Sequence, residues 1–73
     1  MIKLLSRELK SLRALNGHTQ KDLANMLGIG ETSYTKRENG DLDFSVEEIK
    51  KLKELYKLSD EDIIRIFFDN EVA

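Results

Sequence analysis

Polar side chains suited to hydrogen bonding with nucleic-acid bases are concentrated in one stretch of the chain, between Gly30 and Gly40. Glu31 can accept a hydrogen bond from a cytosine amino group, Thr32 can bond a base or touch a thymine methyl group, and Lys36 can donate to guanine. These contacts require a helix that carries the three side chains into the major groove of DNA. The neighbouring elements must therefore leave the outer face of such a helix free.

Two short helices joined by a tight turn are predicted over residues 19–40. Thr19 is a typical N-cap, and Asp22 three residues later completes a capping box that starts the first helix. Gly28 can adopt the positive φ that ends this helix, and the second helix is predicted over Glu31–Glu38. The residues with the spacing of a buried face are Leu23, Ala24, Leu27 and Tyr34.

The joint spacing of these residues resembles the lambda-repressor-like, Cro-type helix-turn-helix family. The shared pattern is T-Q-x-x-L-A-x-x-L-G-I-x-x-x-x-Y-x-x-x-E-N-G, which runs without gaps over residues 19–40. Residues 6–17 and 45–56 resemble the first and fourth helices of that family, so the similarity covers most of the chain. It implies an all-α, five-helix, lambda-repressor-like DNA-binding domain whose third helix, over about residues 30–38, reads the major groove.

The resemblance also implies roles for individual residues. It assigns Gln20 to a DNA phosphate and to the support of the first base-reading position, and it pairs Arg13 with Glu38 in a structural ion pair. Backbone N–H groups at the start of the second helix and around Asn39 and Gly40 would meet phosphates. The implied base-reading positions are Gly30, Glu31, Thr32, Ser33 and Lys36. Further candidates for phosphate contacts are Thr35, Arg7, Lys10 and Lys21.

The sequence departs from the family pattern at three places. Gly30 stands where Ser or Thr is frequent, which gives up a side-chain contact and a better helix cap. Arg37 replaces a usually apolar residue, and we expect its stem to lie over the core with its charge in water. Asp41 and Asp43 occupy a loop that often carries Lys near the DNA backbone. We therefore expect modest affinity, or binding that depends on two domains sharing one site.

Length and composition indicate one small helical domain over residues 1–73. The chain has 36% charged residues, no Pro, no Cys and no long apolar run, so we expect a soluble cytoplasmic protein without disulfides or a membrane helix. A core this small makes self-association favourable. With no room for a separate sensor domain, the chain resembles a Cro-like phage or prophage regulator more than a full-length repressor.

Charge is distributed unevenly along the chain. The net charge of −2 divides into +3 over residues 1–40 and −5 over the remainder. A positive half joined to an acidic half would turn one end of the domain towards phosphate.

The flanking segments predict the remaining helices. Apolar residues in residues 1–16 have amphipathic spacing, and capping boxes at Ser45 and Ser59 start two later helices. The predicted buried stripe of the fourth helix is Val46, Ile49, Leu52, Leu55 and Tyr56. The last helix carries more large apolar side chains than one face can hold, so we expect Phe67 or Phe68 at a two-fold interface and a homodimer at least on DNA. Residues 69–73 are predicted to fray.

The sequence bears on three classes of function. A sequence-specific double-stranded DNA-binding regulator is favoured, because it explains the helix-turn-helix spacing. The alternative is a protein-interaction module that kept the fold and lost specific DNA binding, which the acidic loop and the last helix suggest. We expect no enzyme, cofactor, metal or small-molecule ligand, since no nucleophile, base and oxyanion site occur together. The single histidine, His18, is predicted to be an exposed loop residue.

Overall fold

Five helices and one pair of short strands form the fold. The computed structural model describes the backbone of residues 2–70 and the side chains of residues 4–68. In chain order the elements are β1 (Ile2–Lys3), α1 (Ser6–Leu15), α2 (Gln20–Leu27), α3 (Glu31–Glu38), α4 (Val46–Leu55), α5 (Asp60–Phe67) and β2 (Asp69–Asn70). The predicted all-α, five-helix architecture is confirmed. Within the described residues, none of the helices is long and apolar enough to span a membrane.

Three helices begin with the predicted capping boxes. At the start of α2 the Asp22 N–H donates to Thr19 Oγ1 over 3.0 Å, and the Thr19 N–H donates to the Asp22 carboxylate over 2.8 Å. Ser45 with Glu48 and Ser59 with Asp62 repeat this arrangement at α4 and α5. Because each box satisfies backbone groups that a helix start leaves free, it fixes where the helix begins.

Four helices end in the same way, with a left-handed residue after the last turn. The next N–H then donates to the carbonyl five residues back, which is the Schellman motif. These closing bonds measure 2.8–3.1 Å from His18, Ile29, Asp41 and Leu58. The left-handed residues are Gly17, Gly28, Gly40 and Lys57. Lys57, with φ of 51°, is the one whose Cβ opposes that conformation.

The two ends of the described chain pair with each other. β1 and β2 are antiparallel, with Ile2 opposite Asn70 and Lys3 opposite Asp69. The Leu5 N–H also donates to the Ile66 carbonyl over 2.8 Å. The prediction of a helix from residue 1 is therefore wrong for residues 2–5, and the prediction of a frayed tail is wrong for residues 69 and 70. Residues 71–73, also part of that predicted tail, lie outside the described residues.

The core gathers one face from every helix. Its buried members are Leu9, Leu23, Ala24, Leu27, Tyr34, Ile49, Leu52, Ile66 and Phe67. Phe44, from the loop before α4, joins two of them, because its ring packs edge-on against Tyr34 and Phe67 with centroids 6.0 and 5.4 Å away. Phe67 is only 6% exposed. Its assignment to a two-fold interface is therefore corrected: Phe67 is a core residue, whereas Phe68 is 41% exposed.

The predicted stripe of α4 is buried only in its middle. Ile49 and Leu52 are buried and Tyr56 is half-buried, but Val46 is 67% exposed and Leu55 is 38% exposed. Val46 is the first residue of the helix, where its side chain leans towards the helix N-terminus and away from the core. It lines a surface groove between α4 and α5 together with Ile64 and Phe68.

Candidate nucleic-acid interface

Helix α3 has an inner face anchored in the protein and an outer face open to solvent. Tyr34 and Glu38 point inward and are fully buried. Glu31, Thr32 and Lys36 are exposed. Thr32 and Lys36 are four residues apart and lie on one outward stripe, whereas Glu31 is the first residue of the helix and is exposed at its N-terminus. Gly30, also exposed, caps the helix without a side-chain hydrogen bond. The N–H groups of the first turn are thus free of a side-chain cap.

A single buried carboxylate anchors this helix. Glu38 is 0% exposed and accepts four hydrogen bonds. Arg13 of α1 donates through Nε over 2.8 Å and through Nη2 over 3.2 Å. Gln20 of α2 donates over 2.9 Å and the Tyr34 hydroxyl over 2.7 Å. The structure thus brings Arg13 and Glu38 together, and one carboxylate joins α1, α2 and α3.

These hydrogen bonds determine the charge state of Glu38. Burial by itself would raise the pKa of its carboxyl group, but the bonds from Arg13, Gln20 and Tyr34 outweigh burial and hold the pKa below its ordinary value. The same cluster raises the pKa of the Tyr34 hydroxyl, through burial and through its bond to Glu38. Its bond to Glu38 raises the pKa of Arg13, against the opposing effect of burial. The cluster therefore holds an ionised pair next to a neutral phenol.

His18 lies in the loop before α2 as predicted, but the prediction that it is exposed is wrong. Its side chain is half-buried, and its Nδ1 lies 2.9 Å from the Tyr56 hydroxyl at the end of α4. Its carbonyl accepts a hydrogen bond from Arg13 Nη1 over 2.9 Å. His18 thus extends the Glu38 cluster to a fourth helix. No local pattern indicated this contact, because the two residues are 38 positions apart.

Gln20 and Thr35 were both predicted to contact phosphate, and the structure bonds them to each other. The Thr35 hydroxyl donates to Gln20 Oε1 over 3.1 Å, so its hydrogen is not free for a phosphate. Gln20 donates one amide hydrogen to Glu38, and its second amide hydrogen makes no hydrogen bond within the described side chains. The bond to Thr35 fixes Gln20 against the flank of α3.

The remaining phosphate candidates differ in availability. Arg7, Lys10 and Lys21 are exposed, and none forms an ion pair within residues 4–68. Asn39 exposes its side chain. The prediction of free N–H groups around Asn39 and Gly40 is wrong, because these two donate to the carbonyls of Thr35 and Arg37 in the ending of α3. Phosphate contacts at this point would have to use the Asn39 side chain.

A helix-turn-helix family model matches residues 9–63 of the chain. The matched segment begins in α1 and ends in α5, and it covers well over half of the sequence. The chain belongs to the lambda-repressor-like helix-turn-helix family. This is a family of DNA-binding regulatory domains and not typically of enzymes. No curated protein and no solved structure matches the chain.

Two departures of this helix-turn-helix protein from its family pattern are visible around α3. Arg37 was expected to hold its charge in water, but its side chain is only 20% exposed and its Nε donates to Glu48 of α4 over 3.1 Å. Its Nη1 donates to the carbonyl oxygen of Ser33 over 3.1 Å and to the Ser33 hydroxyl oxygen. Asp41 and Asp43 are exposed in the loop that follows. One side of α3 is therefore held by the hydrogen bonds of Arg37, next to the acidic loop of Asp41 and Asp43.

The described part of this helix-turn-helix protein offers no constellation for metal chemistry. Within the side chains of residues 4–68, no group of three or more His, Asp or Glu residues is placed to hold a metal ion. The buried carboxylate of Glu38 is saturated by Arg13, Gln20 and Tyr34, and that of Glu48 accepts from Arg37 and from the Ser45 N–H.

Proposed function

We propose that this helix-turn-helix protein is a sequence-specific, double-stranded DNA-binding transcription regulator that acts as a single domain over residues 1–73 and inserts α3 into the major groove. One observation carries the proposal: Thr32 and Lys36 are exposed on the outward stripe of a helix whose opposite face is fixed by Glu38, and Glu31 is exposed at the start of that helix. A rigidly held helix with free polar side chains can distinguish base edges, because small displacements would misalign the hydrogen bonds.

Each outward side chain has a preferred base in this arrangement. Glu31 accepts from a cytosine amino group, Lys36 donates to guanine, and Thr32 contacts a base or a thymine methyl group. Gly30, at the start of α3, lets the backbone approach the bases closely. Ser33 is the fifth base-reading position.

Phosphate contacts position the helix without reading sequence. We assign them to the free N–H groups at the start of α3, to the second amide hydrogen of Gln20 and to the Asn39 side chain. The exposed cations that support them are Arg7, Lys10 and Lys21.

We also propose that the protein binds DNA as a homodimer, as a Cro-like phage or prophage regulator would. Val46, Ile64 and Phe68 are exposed apolar residues that line one groove between α4 and α5, which suits the face of a two-fold interface. In such a dimer the two α3 helices would lie about 34 Å apart, and the operator would be close to palindromic.

The decisive experiment is selection of bound duplexes from a random double-stranded DNA library at moderate salt. We expect wild-type protein to enrich an inverted repeat, and Lys36→Ala to lose the preference for guanine at one position of each half-site. Lys51→Ala, which removes an exposed lysine of α4, is the matched control and should select the wild-type site. Failure of folded wild-type protein to enrich any sequence would overturn the proposal and favour the protein-interaction module, which the apolar groove and the exposed Asp41 and Asp43 would then serve.

Sedimentation tests the dimer separately, with and without the selected duplex. We expect Phe68→Ser to weaken assembly on DNA, whereas Leu15→Ser, at an apolar residue that is 84% exposed on α1, leaves it unchanged. One wild-type chain per complete selected duplex would overturn the proposed dimer.

A further inference from the structure

Arg37 is held between the recognition helix and the start of α4. On one side its Nε donates to Glu48 Oε1 over 3.1 Å, and this same oxygen accepts the Ser45 N–H of the capping box over 2.8 Å. On the other side its Nη1 donates to the carbonyl and hydroxyl oxygens of Ser33. Glu48 is itself 9% exposed. The guanidinium is therefore fixed from both sides and directed at Ser33, not at DNA.

This contact changes what the Ser33 hydroxyl can do. A free serine hydroxyl can donate one hydrogen bond and accept two. Here one lone pair is occupied by a positively charged donor, which repels a second donor and polarises the O–H bond so that it donates more strongly. Ser33 is only half-buried, so part of this residue remains accessible to a partner. Its hydroxyl is biased towards partners that accept hydrogen bonds.

The four bases differ in this respect. In the major groove guanine, adenine and thymine each present at least one acceptor, whereas cytosine presents only its amino donor. We propose that Arg37 is a specificity-determining positioning residue that, by donating to the Ser33 hydroxyl, makes Ser33 discriminate against cytosine at the base it faces. The inference rests on the proposed function and concerns one base position within it.

The test compares selected sites from the same random duplex library for four proteins. Wild type should show one position per half-site at which cytosine is depleted about fivefold, the scale of one net hydrogen bond. Arg37→Met removes the guanidinium and keeps an apolar stem, and it should restore cytosine at that position alone. Ser33→Ala removes the hydroxyl and should restore it as well, without touching the link between Arg37 and Glu48. Arg65→Met is the matched control, because it breaks the more exposed pair of Arg65 with Glu8 and should leave every base preference unchanged.

The outcomes separate the inference from the function on which it rests. If wild type selects a site and either Arg37→Met or Ser33→Ala selects it with the same cytosine frequencies, the inference fails and the proposed function stands. The same holds if either variant only lowers affinity evenly for all sequences, which would mean that Ser33 contacts phosphate. If wild type selects nothing, the proposed function fails and the inference falls with it. Should Arg37→Met not fold, Arg37→Gln is the second variant, because it also removes the guanidinium and should restore cytosine at that position.

Discussion

Glu38 shows at the scale of one residue how the recognition helix is held. Its carboxylate has no exposure to water, and its oxygens are shared among Arg13, Gln20 and Tyr34. A buried carboxylate of this kind is stable only while its partners remain, because it has no solvent to replace them. Because no water reaches Glu38, its negative charge depends on these three partners, and their hydrogen bonds hold α3 in place.

Loss of Arg13 should be costly for this reason. We expect Arg13→Ala to lower the free energy of unfolding by about 3–5 kcal/mol, because it strands the Glu38 charge in the interior. Lys10→Ala, an exposed lysine on the same helix, should change it by less than about 0.5 kcal/mol. Urea denaturation of the three proteins measures both. Equal stability of the two variants would contradict the role of the pair.

The same cluster predicts how stability depends on pH. The pKa of Glu38 lies below its ordinary value of 4.5 in the folded protein, so the unfolded chain binds more protons in acid. The stabilisation is complete above the ordinary pKa and is lost as pH falls through the lower, folded value. The Asp22 and Asp62 pKa values are lowered likewise, by hydrogen bonds from the backbone and hydroxyl of Thr19 and Ser59.

We therefore expect the urea midpoint of wild type to be level near neutral pH and to fall below about pH 4.5. Glu38→Gln should be less stable at neutral pH but show a shallower fall in acid, because one of the linked carboxyl groups is gone. Denaturation series from pH 7 to pH 2 give both slopes. A fall as steep in the variant as in wild type would show that Glu38 does not contribute.

At the scale of helices, the sequence indicates where each helix begins and ends more clearly than which helices contact each other. The capping boxes at Thr19, Ser45 and Ser59 were predictable because each is a local pattern of two residues. Glycine likewise marked three of the four Schellman endings. Lys57 was not indicated as the fourth, since its left-handed φ is imposed by the closing bond from Leu58 to the Lys53 carbonyl.

Substitution of Lys57 should therefore be able to increase the stability of the protein. We expect Lys57→Gly to stabilise the protein by up to about 1 kcal/mol, because relief of the left-handed strain exceeds the added freedom of the unfolded chain. Gly28→Ala is the reverse test: an added Cβ meets no atom within 4 Å, so its cost of about 1 kcal/mol would come from the backbone alone. Thermal melts should move in opposite directions. A lower melting temperature for Lys57→Gly would contradict this account.

The contacts that the sequence did not predict are those between distant segments. The pairing of β1 with β2 involves strands of two residues, which are too short to show alternation. The pairs of Arg37 with Glu48 and of His18 with Tyr56 depend on how separate helices pack. The sequence did not predict which of Phe67 and Phe68 is buried, because a run of apolar residues covers more than one helical face. In the structure Phe67 is the one that packs against Phe44. The exposure of Thr32 and Lys36 on α3 was predicted, because their four-residue spacing is a local pattern.

At the scale of the whole molecule, charge is divided less simply than the sequence suggests. Of the basic residues in the first 40, Arg13 and Arg37 are paired with carboxylates inside the domain. Exposed positive charge in this half comes instead from Arg7, Lys10, Lys21 and Lys36. The acidic loop of Asp41 and Asp43 follows directly after α3, where it would oppose the approach of phosphate.

Neutralising that loop should strengthen binding to DNA. We expect the double substitution Asp41→Asn and Asp43→Asn to raise affinity for the selected duplex by about threefold to tenfold at low salt, and by less as salt screens the charges. The double substitution Glu54→Gln and Glu61→Gln, which removes two exposed charges from α4 and α5, is the control for net charge. Fluorescence anisotropy titrations over a salt series measure the effect. An unchanged affinity at low salt would place the loop away from the DNA backbone.

The two flanks of α3 are tied down, one by Thr35 and Gln20 and the other by Arg37 and Glu48. In evolution and in protein engineering, these bonds distinguish residues that must be substituted together from residues that can be substituted alone. A substitution at Gln20 or Glu48 would require compensating substitutions, because each of these residues is hydrogen-bonded to others. Glu31, Thr32 and Lys36 can be substituted without such compensation. New binding specificities should therefore arise by exchange of these three side chains on an otherwise unaltered scaffold.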